Sequence, residues 1–584
     1  MQSFDLVIRG GVVYDGTGAE GRVADVAISG NKIAAVGTVA SRGREEIDAT
    51  GKIVTPGFVD IHTHYDGQLT WENRMSPSST HGVTTIVTGN CGVGFAPCRP
   101  EDRDRLIALM EGVEDIPEIV MSEGLPWSWK TFQEYLNVLD GRRYDVDVAT
   151  MLPHSCLRVF VMGQRAVNGE APTDADLAAM ESITREAIEA GAIGFATSRS
   201  VFHRDKNGVP IPSKDVHERE LQAITSGLIA GGGGLVEALI DFADVEANFP
   251  ILRRIVERTG RMLSLTVTQL ADEPQIWKRI LELLAEANRD GLPIKGQVMG
   301  RPLGMFVGLT ATFNPFSLHP TYHKISHLPL AERVAELRRP EIRQQILTEQ
   351  PGTGKLRRLD YLGKFELMYR VDDPVRYDQT LADSIAGIAQ RDGRTAKEVA
   401  YDMMLEDDGM RLIQLRNANF VDGNMDVSRA MITDPNTLLG LGDGGAHYGM
   451  ICDAGYPSFM LSYWGRDRKE EDRLSLPYII EALSGANAKA IGLNDRGLIA
   501  AGYKADLNVI DHAKMKVRRP HVVYDLPAGG RRFLQTAEGI EATIISGEVT
   551  YRYGKPTEKL PGRLIRGFRK QPTIPSPNVR AAVA

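Results

Sequence analysis

Between residues 53 and 443 the chain alternates short apolar runs ending in polar residues with longer amphipathic stretches, and few folds accommodate that order. Eight runs read as strands, at 53–64, 84–91, 145–154, 191–198, 234–241, 262–269, 295–300 and 437–443. Helical periodicity fills the gaps, as in 173–190 with Asp174 and Asp176 in its first turn, 245–259 and 273–290. This alternation predicts an α/β chain built on a (β/α)8 TIM barrel, whose chemistry sits at the C-terminal strand ends. Those ends carry His, Cys, His, Ser and Asp here. Glycine makes up 59 of 584 residues, and much of it gathers beside them, in Gly89-Asn-Cys-Gly, 231–234 and Gly442-Asp-Gly-Gly. Such turns let backbone approach a site closely.

The ends of the chain differ from its middle. Residues 4–38, 505–511 and 539–551 are short β-rich runs broken by Gly and Asn turns. Chain termini often lie close together, so one small β-sandwich built from both is expected. The predicted division is a discontinuous sandwich, 1–56 with 490–562, around a barrel domain, 57–489. A long insertion around 302–380 would form a lid, a substrate wall or an oligomer contact. The basic, Pro-rich stretch 563–584 reads as a loosely ordered tail.

Composition removes several function classes. Lys and Arg number 68 against 76 Asp and Glu, a net charge of −8, without the basic surplus of a nucleic-acid binder. Hydrophobic residues at 42% and charged residues at 25% fit a globular chain and not a disordered one. No leader and no membrane span are expected, since no window approaches ~18 consecutive apolar residues. Cys91, Cys98, Cys156 and Cys452 are too few for a disulfide scaffold, so a reduced, cytoplasmic protein is expected.

The chemistry concentrates in three places. His62 and His64 stand two apart at the end of an apolar strand, so both imidazoles share one face and can ligate one metal; the alternative is an exposed pair at a loop start. Asp443, in Gly440-Leu-Gly-Asp-Gly-Gly, is either a ligand and general base or an Asx-turn residue. Cys91 is either a thiolate ligand or a small buried residue.

These segments together resemble the amidohydrolase superfamily, and within it the N-acyl-D-amino-acid deacylases (D-aminoacylases). The resemblance is carried by Val54-Thr-Pro-Gly-Phe-Val-Asp-Ile-His-Thr-His, Gly89-Asn-Cys-Gly, His154-Ser-Cys-Leu-Arg158, Gly191-Ala-Ile-Gly-Phe-Ala-Thr-Ser, Gly442-Asp-Gly-Gly and the closing Asp495-Arg-Gly-Leu-Ile-Ala-Ala-Gly-Tyr-Lys-Ala-Asp-Leu. It spans nearly the whole chain. It implies a TIM barrel flanked by a β-sandwich and hydrolysis of a carbon–nitrogen amide bond by attack of metal-bound water. The implied cofactor is zinc, held by His62, His64, Cys91 and Asp443, with Asp443 as general base. His154 would donate to the oxyanion or cap a strand. Arg158 would pair with a substrate carboxylate or form a structural ion pair.

The chain also departs from the family pattern. The family's two further metal histidines, after the fifth and sixth strands, are replaced in strands reading Gly234-Leu-Val-Glu237 and Leu265-Thr-Val-Thr-Gln269. A single metal is therefore predicted, with Glu237 and Gln269 as substitute ligands to test. Arg199, His203 and Arg204 imply a substrate pocket with extra positive charge, or one closed by ion pairs, with Ser198 beside them as a further substrate-binding candidate, and His447 either orients Asp443 or lies on the surface. The expected partner is a small amide bearing a carboxylate, an N-acyl amino acid, and the chain is expected to be a homo-oligomer. Alternatives are cyclic amide opening, ester hydrolysis, deamination, or an inactive binding protein on the same fold.

Overall fold

In the computed structural model, which describes residues 4–573 apart from Lys355, all eight apolar runs contribute strands to one parallel sheet. The strands are β1 (Phe58–Asp60), β2 (Val83–Thr88), β3 (Asp147–Pro153), β4 (Gly194–Ser198), β5 (Leu235–Leu239), β6 (Leu263–Thr266), β7 (Ile294–Val298) and β8 (Thr437–Leu439). Their spatial order is their chain order. They are buried along almost their whole length, as parallel strands covered on both faces are. Beyond the last strand the backbone returns to the first. His64 N donates to Gly444 O at 2.7 Å, and Asp443 N to His62 O at 3.2 Å. The curled sheet is consistent with the TIM-barrel expectation.

The connecting helices form where the periodicity places them. Asp174–Ala190 starts at Thr173, whose hydroxyl and the Asp176 carboxylate make a reciprocal cap, and stops at Gly191 with φ 117°. Val245–Thr259 and Ile276–Arg289 cover the next two crossovers.

Both ends of the chain meet in one nine-stranded sheet. Ile53–Pro56 pairs antiparallel with Leu507–Ile510, Val54 opposite Val509. A buried ionic cluster joins this sheet to the parallel one. Asp147, at the start of β3, takes Arg496 Nη1 at 2.6 Å and Lys504 Nζ at 2.8 Å, and Lys504 also pairs with Asp506 at 2.7 Å.

Two segments are better ordered than the sequence suggested. The connection between β7 and β8 builds its own three-stranded antiparallel sheet, with Ile413–Ala418 between Leu303–Val307 and Met368–Arg370. It thus runs past residue 380 to Ala418. Helices such as Leu330–Leu337 and Ala396–Met404 supply it with a separate apolar cluster, including Val307, Leu337, Ile385, Tyr401 and Leu415. Without such a core so long a connection would leave backbone groups unpaired. Of the expected loose tail, residues 563–573 are described, and the first of them pack against the parallel sheet. Leu564 and Ile565 are buried, Ile565 N donates to Val148 O at 2.7 Å, and Arg563 N donates to the Asp147 carboxylate at 2.9 Å. The rest of that expectation, 574–584, lies outside the described residues. Among the described residues no helix is long and apolar enough to cross a membrane.

Candidate metal centre

β1 runs directly into Ile61-His62-Thr63-His64, and the two imidazoles stand edge to face with centroids 5.3 Å apart. Cys91 arrives from the turn after β2. Gly89 there has φ 85°, and a Cβ on it would lie 2.2 Å from the Met151 carbonyl oxygen, so only glycine fits. Asn90 Nδ2 donates to Thr63 O at 3.2 Å and Val87 O at 2.9 Å, locking the cysteine turn to the histidine strand. Asp443 follows β8 with φ 45°; Leu441 and His447 in the same loop have φ 62° and 54°. Non-glycine residues hold left-handed backbone only where their surroundings over-determine it, and such strain clusters at functional sites.

The donor atoms of His62, His64 and Cys91 all lie within 4.8 Å of one another. Cys91 Sγ is 3.5 Å from His62 Nε2. Asp443 Oδ1 is 3.5 Å from His62 Nε2 and 3.7 Å from His64 Nε2. Ligands about 2.0–2.3 Å from a tetrahedral ion stand about 3.3–3.8 Å apart, so these separations suit one metal. The surroundings suit it too. Asp66, Glu114 and Glu237 are buried around the same imidazoles, and Glu237 Oε1 and His64 Nδ1 have no hydrogen-bond partner among the described residues. Burial favours the protonated form of these carboxyls when they have no cation, and a cation among them would let them ionise and act as donors. Imidazole, thiol and carboxylate together favour zinc or another borderline divalent ion. The His62 and His64 side chains are 2% exposed and that of Asp443 is 21%, so solvent reaches the centre from the Asp443 side.

Neighbouring groups hold each ligand in place. Gln297 on β7 donates through Nε2 to Ser264 Oγ at 2.8 Å, which turns its Oε1 toward His62 Nδ1, also at 2.8 Å. Nδ1 therefore carries the proton and Nε2 presents its lone pair to the centre. Burial pushes His62 down to about 4 and keeps it neutral. Burial also opposes charge on His64, but Glu114 and Asp443 prevail and raise it to about 9. Asp443 is held down to about 2, the imidazoles outweighing its burial. Glu114 ends the helix Arg103–Glu114 and stands 3.6 Å from His64 Nδ1 and 3.5 Å from His447 Nε2. Glu237 Oε2 accepts from Cys91 N at 2.9 Å. Burial raises Glu114 to about 7 and Glu237 to about 8.

Of the other expected residues, His203 and His447 come to the centre. Burial drives both imidazoles down to about 3, and both feel His64, Asp443 and Arg358. His154 does not take the oxyanion role, and Arg158 takes the structural one of its two readings. Both ring nitrogens of His154 are engaged, with Thr197 Oγ1 at 2.8 Å and Glu220 at 2.9 Å, leaving no donor for an oxyanion. Arg158 pairs with the same Glu220 and with Glu170 O, the structural ion pair of the two readings. Gln269 turns away from the donor set, its amide bonding Asp422 at 2.9 Å and Val421 N at 3.3 Å. Arg199 braces the loop after β4 against Asn248 and Val216 O, and Ser198 Oγ accepts from Ser200 N.

Sequence reasoning missed Glu114, Gln297 and Arg358. Gln297 left a visible signal, a polar residue inside an apolar buried strand. Arg358 comes from the insertion. Its Nη2 donates to Gly112 O and its Nη1 reaches Met450 Sδ at 3.7 Å, with no ion pair among the described residues.

Comparison with known proteins bears on this arrangement. The profile of the Amidohydrolase family matches residues 45–551. An N-acyl-D-aspartate deacylase of Alcaligenes xylosoxydans xylosoxydans is 27% identical over 574 residues, covering 96% of this chain and 95% of the relative. An N-acyl-D-glutamate deacylase of the same organism is 26% identical over 572 residues, 97% of each. Among solved structures, the N-acyl-D-glutamate deacylase from Bordetella bronchiseptica, complexed with zinc and a phosphonate inhibitor, superposes with TM-score 0.62 at 22% identity over 97% of this chain and 100% of that one. At that identity the likeness speaks for the fold.

Proposed function

The chain belongs to the amidohydrolase family, and from that premise we propose that it is a metal-dependent hydrolase cleaving the carbon–nitrogen bond of an N-acyl amino acid or related amide. The observation that carries this reading is the convergence of His62, His64 and Cys91 at the C-terminal end of the parallel sheet, with Asp443 Oδ1 beside both imidazoles. The activities named for the two relatives, on N-acyl-D-aspartate and N-acyl-D-glutamate, support a substrate carrying a carboxylate. We read the parallel sheet as a closed TIM barrel over 57–489 and the terminal sheet as the sandwich of 1–56 with 490–562. One zinc ion is proposed, held by His62, His64, Cys91 and Asp443, with Glu237 Oε1 as the spare donor.

When bound, the ion supplies Lewis-acid polarisation of the amide carbonyl and eases deprotonation of water. The protein's own residues orient and move protons. Gln297 fixes the His62 tautomer, and Glu114 holds His64 and His447 on either side of the centre. Asp443, the most open of the four, accepts a proton from water as the oxygen–carbon bond forms. It returns that proton to nitrogen as the carbon–nitrogen bond breaks, which leaves a carboxylic acid and an amine. Among the described residues Arg358 bonds a carbonyl and a thioether, with Asp115 and Glu114 acting on it through space, so its guanidinium is available to the substrate carboxylate.

Metal content and hydrolysis of N-acyl D- and L-amino acids test the reading together. About one zinc per chain is expected, lost with activity in the His62→Ala, His64→Ala double variant. A metal-free protein whose hydrolysis is unchanged in Asp443→Asn overturns it.

A further inference from the structure

We propose that the chain binds a small, halide-sized monovalent anion between Arg416 and Arg301, where the insertion packs on the end of the parallel sheet. Arg301 follows β7 and Arg416 lies in the strand Ile413–Ala418; their exposures are 0% and 1%. None of the residues involved is among the proposed metal ligands.

The two guanidiniums share a shell of aromatic rings. Arg416 sits 4.5 Å from the Tyr369 ring, 4.7 Å from Phe420 and 5.7 Å from Tyr377, and Arg301 sits 5.5 Å from that same Tyr377 ring. The one carboxylate paired with either belongs to Arg301, whose Nη2 lies 3.2 Å from Asp453 Oδ1. Arg416 has no ion-pair partner among the described residues. Its Nε donates to Gln414 at 2.9 Å and its Nη2 to Gln379 at 2.6 Å and Arg376 O at 3.2 Å. Among the described residues its Nη1 has no acceptor, and neither do the Tyr369 and Tyr377 hydroxyls, all three being buried.

Two cations against one carboxylate leave a positive charge in the interior. Water would satisfy the idle donors but not that charge, and aromatic faces offset only part of its desolvation. Burial already pushes Arg416 down to about 10 and the Asp453 carboxyl up to about 7, so internal compensation is weak. A monovalent anion answers both the charge and the donors. The burial of every donor limits it to a small ion. A surface cavity of about 390 Å³ reaches Tyr377 and Gln379, which both touch Arg416; its mouth carries Asp378, Asp426, Asp467 and Asp472 against Arg468 and Lys469, so a monovalent ion would enter it more readily than a polyvalent one.

Bromide is the probe. Crystals of the full chain grown in bromide are expected to show an anomalous peak bounded by Arg416 Nη1 and the two tyrosine hydroxyls; water at that position overturns the proposal. In solution, bromide a hundredfold above its Kd should raise Tm by about 2 °C over gluconate at equal ionic strength. Arg416→Gln should abolish the increment. Tyr377→Phe keeps the ring packing and should weaken the apparent Kd about tenfold. An increment unchanged in Tyr377→Phe, or absent from the wild-type chain, overturns the site.

Discussion

The Gln297 side chain illustrates how much of the centre rests on single groups. With its amide nitrogen committed to Ser264, its oxygen has one way to face, and His62 must offer Nε2 to the metal. Gln297→Leu should therefore weaken zinc affinity by roughly 10–100-fold in chelator competition, with little change in fold. Asp443→Asn removes the proton acceptor while keeping the volume. Its kcat should fall by about 10²–10⁴ at unchanged melting temperature. Arg358→Met should raise KM for a carboxylate-bearing amide far more than it lowers kcat, and should leave a substrate without the carboxylate almost unaffected. The four proposed ligands were legible because each sits where an apolar strand ends in a polar residue. Glu114 and Arg358 were not, since a helix C-terminus and an insertion reach the centre only through tertiary packing. His154 and Arg158 stayed open between two readings for the converse reason: their partner, Glu220, lies on a later helix that no spacing rule connects to them.

Among the elements, β3 carries a stability device at the end away from the metal. Burial would raise the Asp147 carboxyl, but Lys504 and Arg496 prevail and hold it down to about 2. Against an unfolded value of ~3.9, a lowered folded value stabilises above the unfolded pKa and loses that contribution as pH falls through the folded one. About 2 kcal/mol should therefore fade between roughly pH 4 and pH 2. Asp147→Asn should remove it at neutral pH as well, which urea titrations at pH 7 and pH 3 would reveal as a narrowed difference between variant and wild type. The strands and crossover helices could be read from sequence because each follows from local period and capping, as the Thr173 cap shows. The insertion could not, because its central strand, Ile413–Ala418, comes after both of its partners in the chain.

At the scale of the whole molecule, the terminal sheet and the parallel sheet are one continuous piece of chain. Ile53–Pro56 is an inner strand of the first, and two residues later β1 begins and leads to His62. Truncation after residue 500 removes Leu507–Ile510, Lys504 and Asp506 but none of the proposed ligands. It should nonetheless abolish metal binding, measured as stoichiometry beside far-UV circular dichroism; a truncated chain still holding about one metal would show that the parallel sheet stands alone. The backbone seam between the segments after β1 and β8 carries a different consequence. Asp443 N to His62 O and His64 N to Gly444 O join the segments that follow the first and last strands of the parallel sheet, so the proposed donors belong to parts of the chain that a ribosome releases far apart in time. On the proposed ligand set an unfinished chain lacks Asp443, so metal uptake in this geometry would report that the first and last strands of the parallel sheet have come together.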